Sequence, residues 1–258
     1  MDIKVAVNVP ANLMQYLSGL GKAALAFSGG VDSTYLMYAA KRSRMNVRAY
    51  YANTQFQPAF ELDDAIRAAR KIGVPMTVIR FDVLNKPGIR DNGPDRCYAC
   101  KTEIFSRILK IAAKDGFATV MDGTNASDDE AARPGMRALK ELAVVSPLRD
   151  CGITKPQVRQ YSRTAGLFTW DKPAYACLAT RVDTGIPYTD TLLQRVEVAE
   201  NLLMDMGFTD FRVRTDGRMA RLQLRQADWD RIAPARDAVY NALLPYFESV
   251  VLDMKIRE

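Results

Sequence analysis

The stretch that most constrains this chain is Ala24-Leu25-Ala26-Phe27-Ser28-Gly29-Gly30-Val31-Asp32-Ser33-Thr34, an apolar strand that runs into a glycine turn and then a helix. Gly29 and Gly30 let the backbone approach a ligand closely and take dihedrals that a Cβ forbids. The exposed amides of such a turn, with the positive end of a helix opening near Asp32, make a site for phosphate. Ser28 and Ser33 add hydroxyl donors, and Asp32 is available to hold a magnesium ion that bridges phosphate oxygens. No Gly-Lys-Ser/Thr follows the glycines, so the lysine of a Walker loop is absent and γ-phosphoryl transfer is disfavoured. The plain alternative is a Ser-Gly-Gly turn with Asp32 as an ordinary helix cap.

The segments that follow alternate in type. Helical patterns near 11–21, 32–44 and 60–72 are interleaved with apolar runs at 23–27, 47–52 and 75–81 that suit strands buried on both faces. That alternation predicts an α/β fold, a doubly wound parallel sheet with ligands at the carboxyl ends of its strands. A loop at 85–95 leads into Arg96-Cys97-Tyr98-Ala99-Cys100-Lys101 at the start of a helix. A fourth strand at 118–121 ends in Asp122-Gly123-Thr124-Asn125, which places Gly123 and its polar neighbours in the nucleotide site. Val144-Val145-Ser146-Pro147-Leu148 reads as the last strand of this part, and Thr154 as the cap of a helix to about Ala165. Residues 170–181 have no clean period, and a long irregular stretch rich in large apolar residues is a functional one. Beyond it, helices and short strands form a smaller α+β unit. The expected division is 1–182 for the nucleotide domain and 183–258 for the second.

Composition narrows the chemistry. At 258 residues with 48% apolar content the chain has ample material for a core. No window approaches a membrane span and the start carries no basic leader, so a cytoplasmic protein without membrane or nucleic-acid partners is expected. The net charge of +6 is spread along the sequence without a Lys/Arg run, which favours small anionic ligands over a large RNA. There are no histidines, so a general base must be Asp, Glu, Lys, Tyr, Cys or the substrate itself. Four cysteines, Cys97, Cys100, Cys151 and Cys177, are too few for a disulfide scaffold in a chain of this length. Arg181, four residues after Cys177, can lower the thiol's pKa or hold a carboxylate or phosphate; the plainer role is a salt bridge within a loop. Arg212 and Arg214 alternate on one strand and project from one face, suited to a phosphate.

Several of these motifs carry a resemblance. Ser28-Gly29-Gly30-Val31-Asp32-Ser33 resembles the pyrophosphate loop of the ATP pyrophosphatase (PP-loop) superfamily, whose members cleave ATP between the α and β phosphates. More narrowly, Arg96-Cys97-Tyr98-x-Cys100-Lys101, Asp122 to Asn125, Arg133-Pro134-Gly135, Ser146-Pro147-Leu148, Trp170 to Arg181 and Arg212-Val213-Arg214 resemble the LarE-type sacrificial sulfur transferases, in the right order over nearly the whole chain. That resemblance implies ATP and Mg2+ as cofactors, a pyridinium dicarboxylate mononucleotide as substrate, and a place in nickel-pincer nucleotide cofactor biosynthesis. It also implies a homo-oligomer, adenylation of a carboxylate, and attack by Cys177, which surrenders its sulfur and becomes dehydroalanine. Two positions depart from the family. Asp216 stands where members often have His, and Gln223 where an acidic residue helps build a metal site at the family's trimer interface. Other readings stay open: a PP-loop thiolase or amidase using Cys97, Cys100 and Cys177 as relay or cluster ligands, and a nucleotide-binding regulator that does not turn over.

Overall fold

The computed structural model describes residues 9–129 and 134–257. Arg133 of the Arg-Pro-Gly motif and the first eight residues lie outside the described residues. In chain order the first elements are α1 (Ala11–Leu20), β1 (Lys22–Ala26), α2 (Val31–Arg42), β2 (Asn46–Asn53), α3 (Ala59–Ile72) and β3 (Met76–Arg80). Next come α4 (Pro87–Arg90), α5 (Arg96–Lys114), β4 (Val120–Met121), α6 (Pro134–Glu141), α7 (Pro147–Asp150) and α8 (Lys155–Thr164). A 3₁₀ turn at Leu178–Arg181 precedes α9 (Asp190–Asp205), β5 (Arg212–Arg214), β6 (Met219–Gln223), α10 (Gln226–Leu243) and β7 (Ser249–Leu252).

The chain divides into two compact units. The first comprises residues up to Thr54, Ala59–Phe81 and Cys97–Lys172; the second comprises Gln55–Pro58, Asp82–Arg96 and Pro173 onward. The division at Lys172/Pro173 lies ten residues before the expected 182/183, and two short segments from early in the chain join the second unit. Their contacts are set by distant partners. Gln55 donates to Asp82 at 2.7 Å, and Asn92 binds the carbonyls of Asp183 and Ile186.

In the first unit the sheet is parallel throughout, in the order β3-β2-β1-β4. The chain walks outward from β1 to β3 and then returns to the other side of β1 at β4. The switch point between β1 and β4 opens a crevice at their carboxyl ends, where ligands of doubly wound sheets bind. The α/β expectation therefore holds. Its strands are apolar because helices cover them: Ala23, Ala24 and Leu25 of β1 are fully buried. The expected last strand at 144–148 is cut to a single bridge between Met121 and Val145, and α7 begins at Pro147 instead. A proline lacks the N–H a ladder requires and is preorganised for the first helical position.

The second unit packs α9 and α10 with the three-stranded sheet β5-β6-β7, in which β5–β6 is antiparallel and β6–β7 parallel. This is the expected small α+β unit. Among the described residues, no helix is long and apolar enough to cross a membrane.

Candidate functional site

The glycine loop joins β1 to α2. Gly29 has φ +75°, and a Cβ there would lie 3.1 Å from Ala65 Cβ and 3.3 Å from Glu61 O, so both its dihedral and the closeness of α3 require glycine. Gly30, not Asp32, is the N-cap of α2, and no side chain caps the helix. The first-turn amides are thus left to a ligand, with the positive end of the helix dipole behind them. Ser28 and Ser33 hold the loop's shape. Their hydroxyls lie 3.0 Å apart, and Ser33 Oγ also accepts from the Ser28 amide and donates to Gly30 O.

The loop after β4 closes the other wall of the crevice. A Cβ on Gly123 would sit 2.8 Å from the Ser33 amide nitrogen, so glycine at this position lets the two loops touch at the start of α2. Asp122 is buried and turned inward, accepting from Ser146 Oγ at 2.7 Å and from Thr124 through both amide and hydroxyl. Asn125 Nδ2 donates to Asp32 Oδ1 at 3.2 Å, and Lys155 Nζ donates to Asp32 Oδ2. Lys155 was not among the residues singled out from sequence. It supplies from α8 the cation that the glycine loop lacks. Its signal is a lysine in the first turn of a helix, where the dipole disfavours a positive charge and a nearby acid must compensate.

Beside this site, Lys172 Nζ is held at 2.9 Å from Glu61 and 2.8 Å from Asp64. Burial raises the Glu61 carboxyl above the ordinary range, and Lys172 opposes that rise. Arg159 donates to the carbonyls of Trp170 and Lys172, so the start of the 170–181 stretch is anchored in the first unit.

The remainder of that stretch belongs to the second unit. Cys177 is half-buried and is the N-cap of the 3₁₀ turn. Arg181 is wholly buried and paired in two bonds with Glu200, Nε to Oε1 at 2.7 Å and Nη2 to Oε2 at 3.0 Å. Its Nη1 donates to Ala176 O at 2.9 Å and Thr180 Oγ1 at 2.8 Å, with Cys177 O at 3.5 Å. Its donors thus meet Glu200 and the loop itself. Glu200 also accepts from the Val213 amide and the Tyr175 hydroxyl. The Tyr175 ring has two guanidiniums near it, with centroid distances of 4.5 Å to Arg181 and 5.3 Å to Arg212. Burial and the Glu200 carboxylate raise the Tyr175 hydroxyl far above its usual range, so it stays protonated.

Arg212 and Arg214 also reach the loop. Arg212 is buried and donates to Ala174 O; desolvation, reinforced by Arg181 and Arg257, pushes its pKa down to about 10. Arg214 donates to Thr180 O at 2.6 Å and to Gln223 Oε1 at 2.5 Å. Neither bond pairs Arg214 with a carboxylate. It lines a cavity of about 270 Å³ with Gln223, Lys255, Ile256 and Arg257, a setting suited to an anion. Asp216, where the family often has His, is bonded to the amides of Arg218 and Met219 in a turn. Cys97 and Cys100 lie in the first two turns of α5, and all four cysteines are free thiols. Among the described residues, no group of three or more His, Cys, Asp or Glu is arranged to hold a metal ion.

A glycine loop at the switch point of a parallel sheet, with helix-end amides open beside an Asp-Lys pair, defines an α/β nucleotide-binding protein of the PP-loop type. No family model matches the chain. Over 160 residues it is 27% identical to the argininosuccinate synthase of Haloarcula marismortui, covering 58% of this chain and 38% of that one, which points to the same superfamily. An uncharacterized protein of Synechocystis is 37% identical over 83% of this chain and 80% of its own. The pyridinium-3,5-bisthiocarboxylic acid mononucleotide synthase of Lactiplantibacillus plantarum is 33% identical over 95% of this chain and 90% of its own. The chain belongs to the family of that synthase, the LarE-type proteins.

Proposed function

We propose that this protein is an ATP-dependent sulfur transferase that acts on a pyridinium dicarboxylate mononucleotide, on the way to a nickel-pincer nucleotide cofactor. The observation that carries the reading is near full-length similarity to the Lactiplantibacillus synthase, in a chain whose Cys177 thiol sits in a loop fixed through its backbone.

A carboxylate is a poor electrophile. Attack of its oxygen on the α-phosphorus of ATP gives an acyl adenylate, and pyrophosphate leaves. The open amides at the start of α2, Gly29 and Gly30, the hydroxyls of Ser28 and Ser33, and Lys155 supply donors and charge for that leaving group. Asp32 would hold the magnesium ion, whose chemistry is to neutralise phosphate oxygens. The Cys177 thiolate then displaces AMP to give an acyl thioester. Loss of the Cys177 Cα proton allows β-elimination, sulfur departs with the substrate as a thiocarboxylate, and dehydroalanine remains. Arg214 is the residue for the substrate's phosphate, with Arg212 adding to the positive field. The second unit is assigned substrate binding and the contacts of a homo-oligomer.

The test is a single turnover with ATP, magnesium and the mononucleotide, read by intact-mass spectrometry and peptide mapping. Loss of the elements of hydrogen sulfide at Cys177 is expected, with one pyrophosphate released per adenylation. An unchanged protein mass beside thiolated product sinks the sacrificial step, and ATP binding without substrate-dependent pyrophosphate release turns the reading to a regulator.

A further inference from the structure

The carbonyl oxygen of Cys177 is a crowded acceptor. It takes the Thr180 amide at 3.0 Å, the Thr180 hydroxyl at 2.9 Å and an approach from Arg181 Nη1 at 3.5 Å. The amide contact closes the 3₁₀ turn and needs no further explanation. The other two are additional. A peptide oxygen has two lone pairs, and the amide with one side chain already satisfies it in the ground state. Glu200 pins the guanidinium from behind by two bonds in a wholly buried setting, so Arg181 keeps its charge against this edge of the loop. Two donors held on one oxygen with a buried cation beside them are worth most when that oxygen gains charge.

The chemistry proposed above has one step that places charge there. When the Cα proton of residue 177 is removed, the carbanion is shared with the residue's own carbonyl as an enolate. A peptide Cα–H is a feeble acid, so this step needs the most help. We propose that the Thr180 amide and hydroxyl form an oxyanion hole for the Cys177 enolate, with the Arg181 charge beside it, making Thr180 a residue of the elimination. The inference rests on the sulfur-transfer reading. In balance, a lysine amine or a carboxylate takes the Cα proton, the chain having no histidine to do so. The C–H electron pair becomes the Cα=Cβ bond, the Cβ–S bond breaks, and its pair leaves on the substrate's thiocarboxylate. Nothing is oxidised or reduced.

The experiment follows the thioester and the dehydroalanine separately by rapid-quench intact-mass spectrometry in single turnovers of the whole protein. Thr180→Val removes the hydroxyl at nearly constant shape, and Thr180→Ala does so with less bulk. In both, the thioester adduct on Cys177 is expected to accumulate and its decay to slow by on the order of 10²-fold, the usual effect of losing one oxyanion donor. Thr180→Ser, which keeps the donor, should restore the decay. Thioester decay at the wild-type rate in Thr180→Val and Thr180→Ala overturns the inference alone, as does failure of Thr180→Ser to restore it. A wild-type protein that forms neither thioester nor dehydroalanine overturns the sulfur-transfer reading, and this inference with it.

Discussion

Residues 28–33 and residues 174–181 each run from irregular backbone into a helical turn, yet they are held by opposite halves of the peptide group. The glycine loop is shaped from within, by a positive φ at Gly29 and two serine hydroxyls, and it leaves amides open at an uncapped helix start. The cysteine loop is shaped mainly by side chains that bind its carbonyls. Arg212 takes Ala174 O, Arg181 takes Ala176 O, Arg214 takes Thr180 O and the Tyr188 hydroxyl takes Ala179 O at 2.9 Å. One loop thus offers donors to an anion, while the other has carbonyls at 174, 176, 179 and 180 taken by side chains. A loop that must bind phosphate keeps its N–H groups free, and a loop that must present a thiol immobilises its C=O groups.

Four variants test this contrast. The largest effect is expected for Cys177→Ser: thiolated product falls to zero, while substrate-dependent pyrophosphate release, measured enzymatically, continues from the glycine loop. Next is Glu200→Ala. It leaves the buried Arg181 charge unpaired, at a cost of about 3–5 kcal/mol, and should lower the midpoint of thermal or urea unfolding accordingly. If unfolding is unaffected, the cysteine loop is not held by its arginines. Lys155→Met removes the cation at Asp32 and should slow pyrophosphate release by about tenfold, or ~1.4 kcal/mol in the barrier. A release rate equal to wild type would show that the backbone amides suffice alone. Of similar size is the effect expected for Gly29→Ala. Holding alanine at a positive φ costs about 1–2 kcal/mol, so weaker ATP binding by calorimetry is expected with little change in thiol reactivity at Cys177. Equal loss in both readouts would erase the distinction between the loops.

The same contrast decides what can be read from sequence. The glycine loop is legible because its determinants are adjacent: strand, Ser-Gly-Gly turn and helix occur within a dozen residues and fix the α/β architecture around them. The supports of the cysteine loop come from far along the chain. Glu200 is the clearest example. It lies on the buried face of α9 with Val196, Ala199 and Leu203, and a lone carboxylate in an apolar stripe is the signal that a buried cation must meet it. Which cation it meets is set by tertiary packing. Arg212 and Arg214 were visible as a pair on β5, but their use as backbone clamps was not, because a carbonyl partner leaves no trace in residue identity. The shortened strand at 144–148 follows from Pro147, a local cue outweighed by the apolar Val144-Val145 before it. Segments 55–58 and 82–96 join the second unit through side chains such as Asn92, which no linear boundary captures.

The backbone-held loop has one more consequence, for the life of the molecule in a cell. The bonds that Arg181, Tyr188, Arg212 and Arg214 make to residues 174, 176, 179 and 180 end on main-chain oxygens and not on the sulfur of Cys177. Under the proposed mechanism, a copy that has given up its sulfur from such a position would keep these contacts. Proteolytic surveillance, which acts on unfolded chains, then has no means to tell a used copy from a fresh one. Spent molecules would persist and compete for ATP and substrate, so output would track the rate of new synthesis and not the amount of protein present.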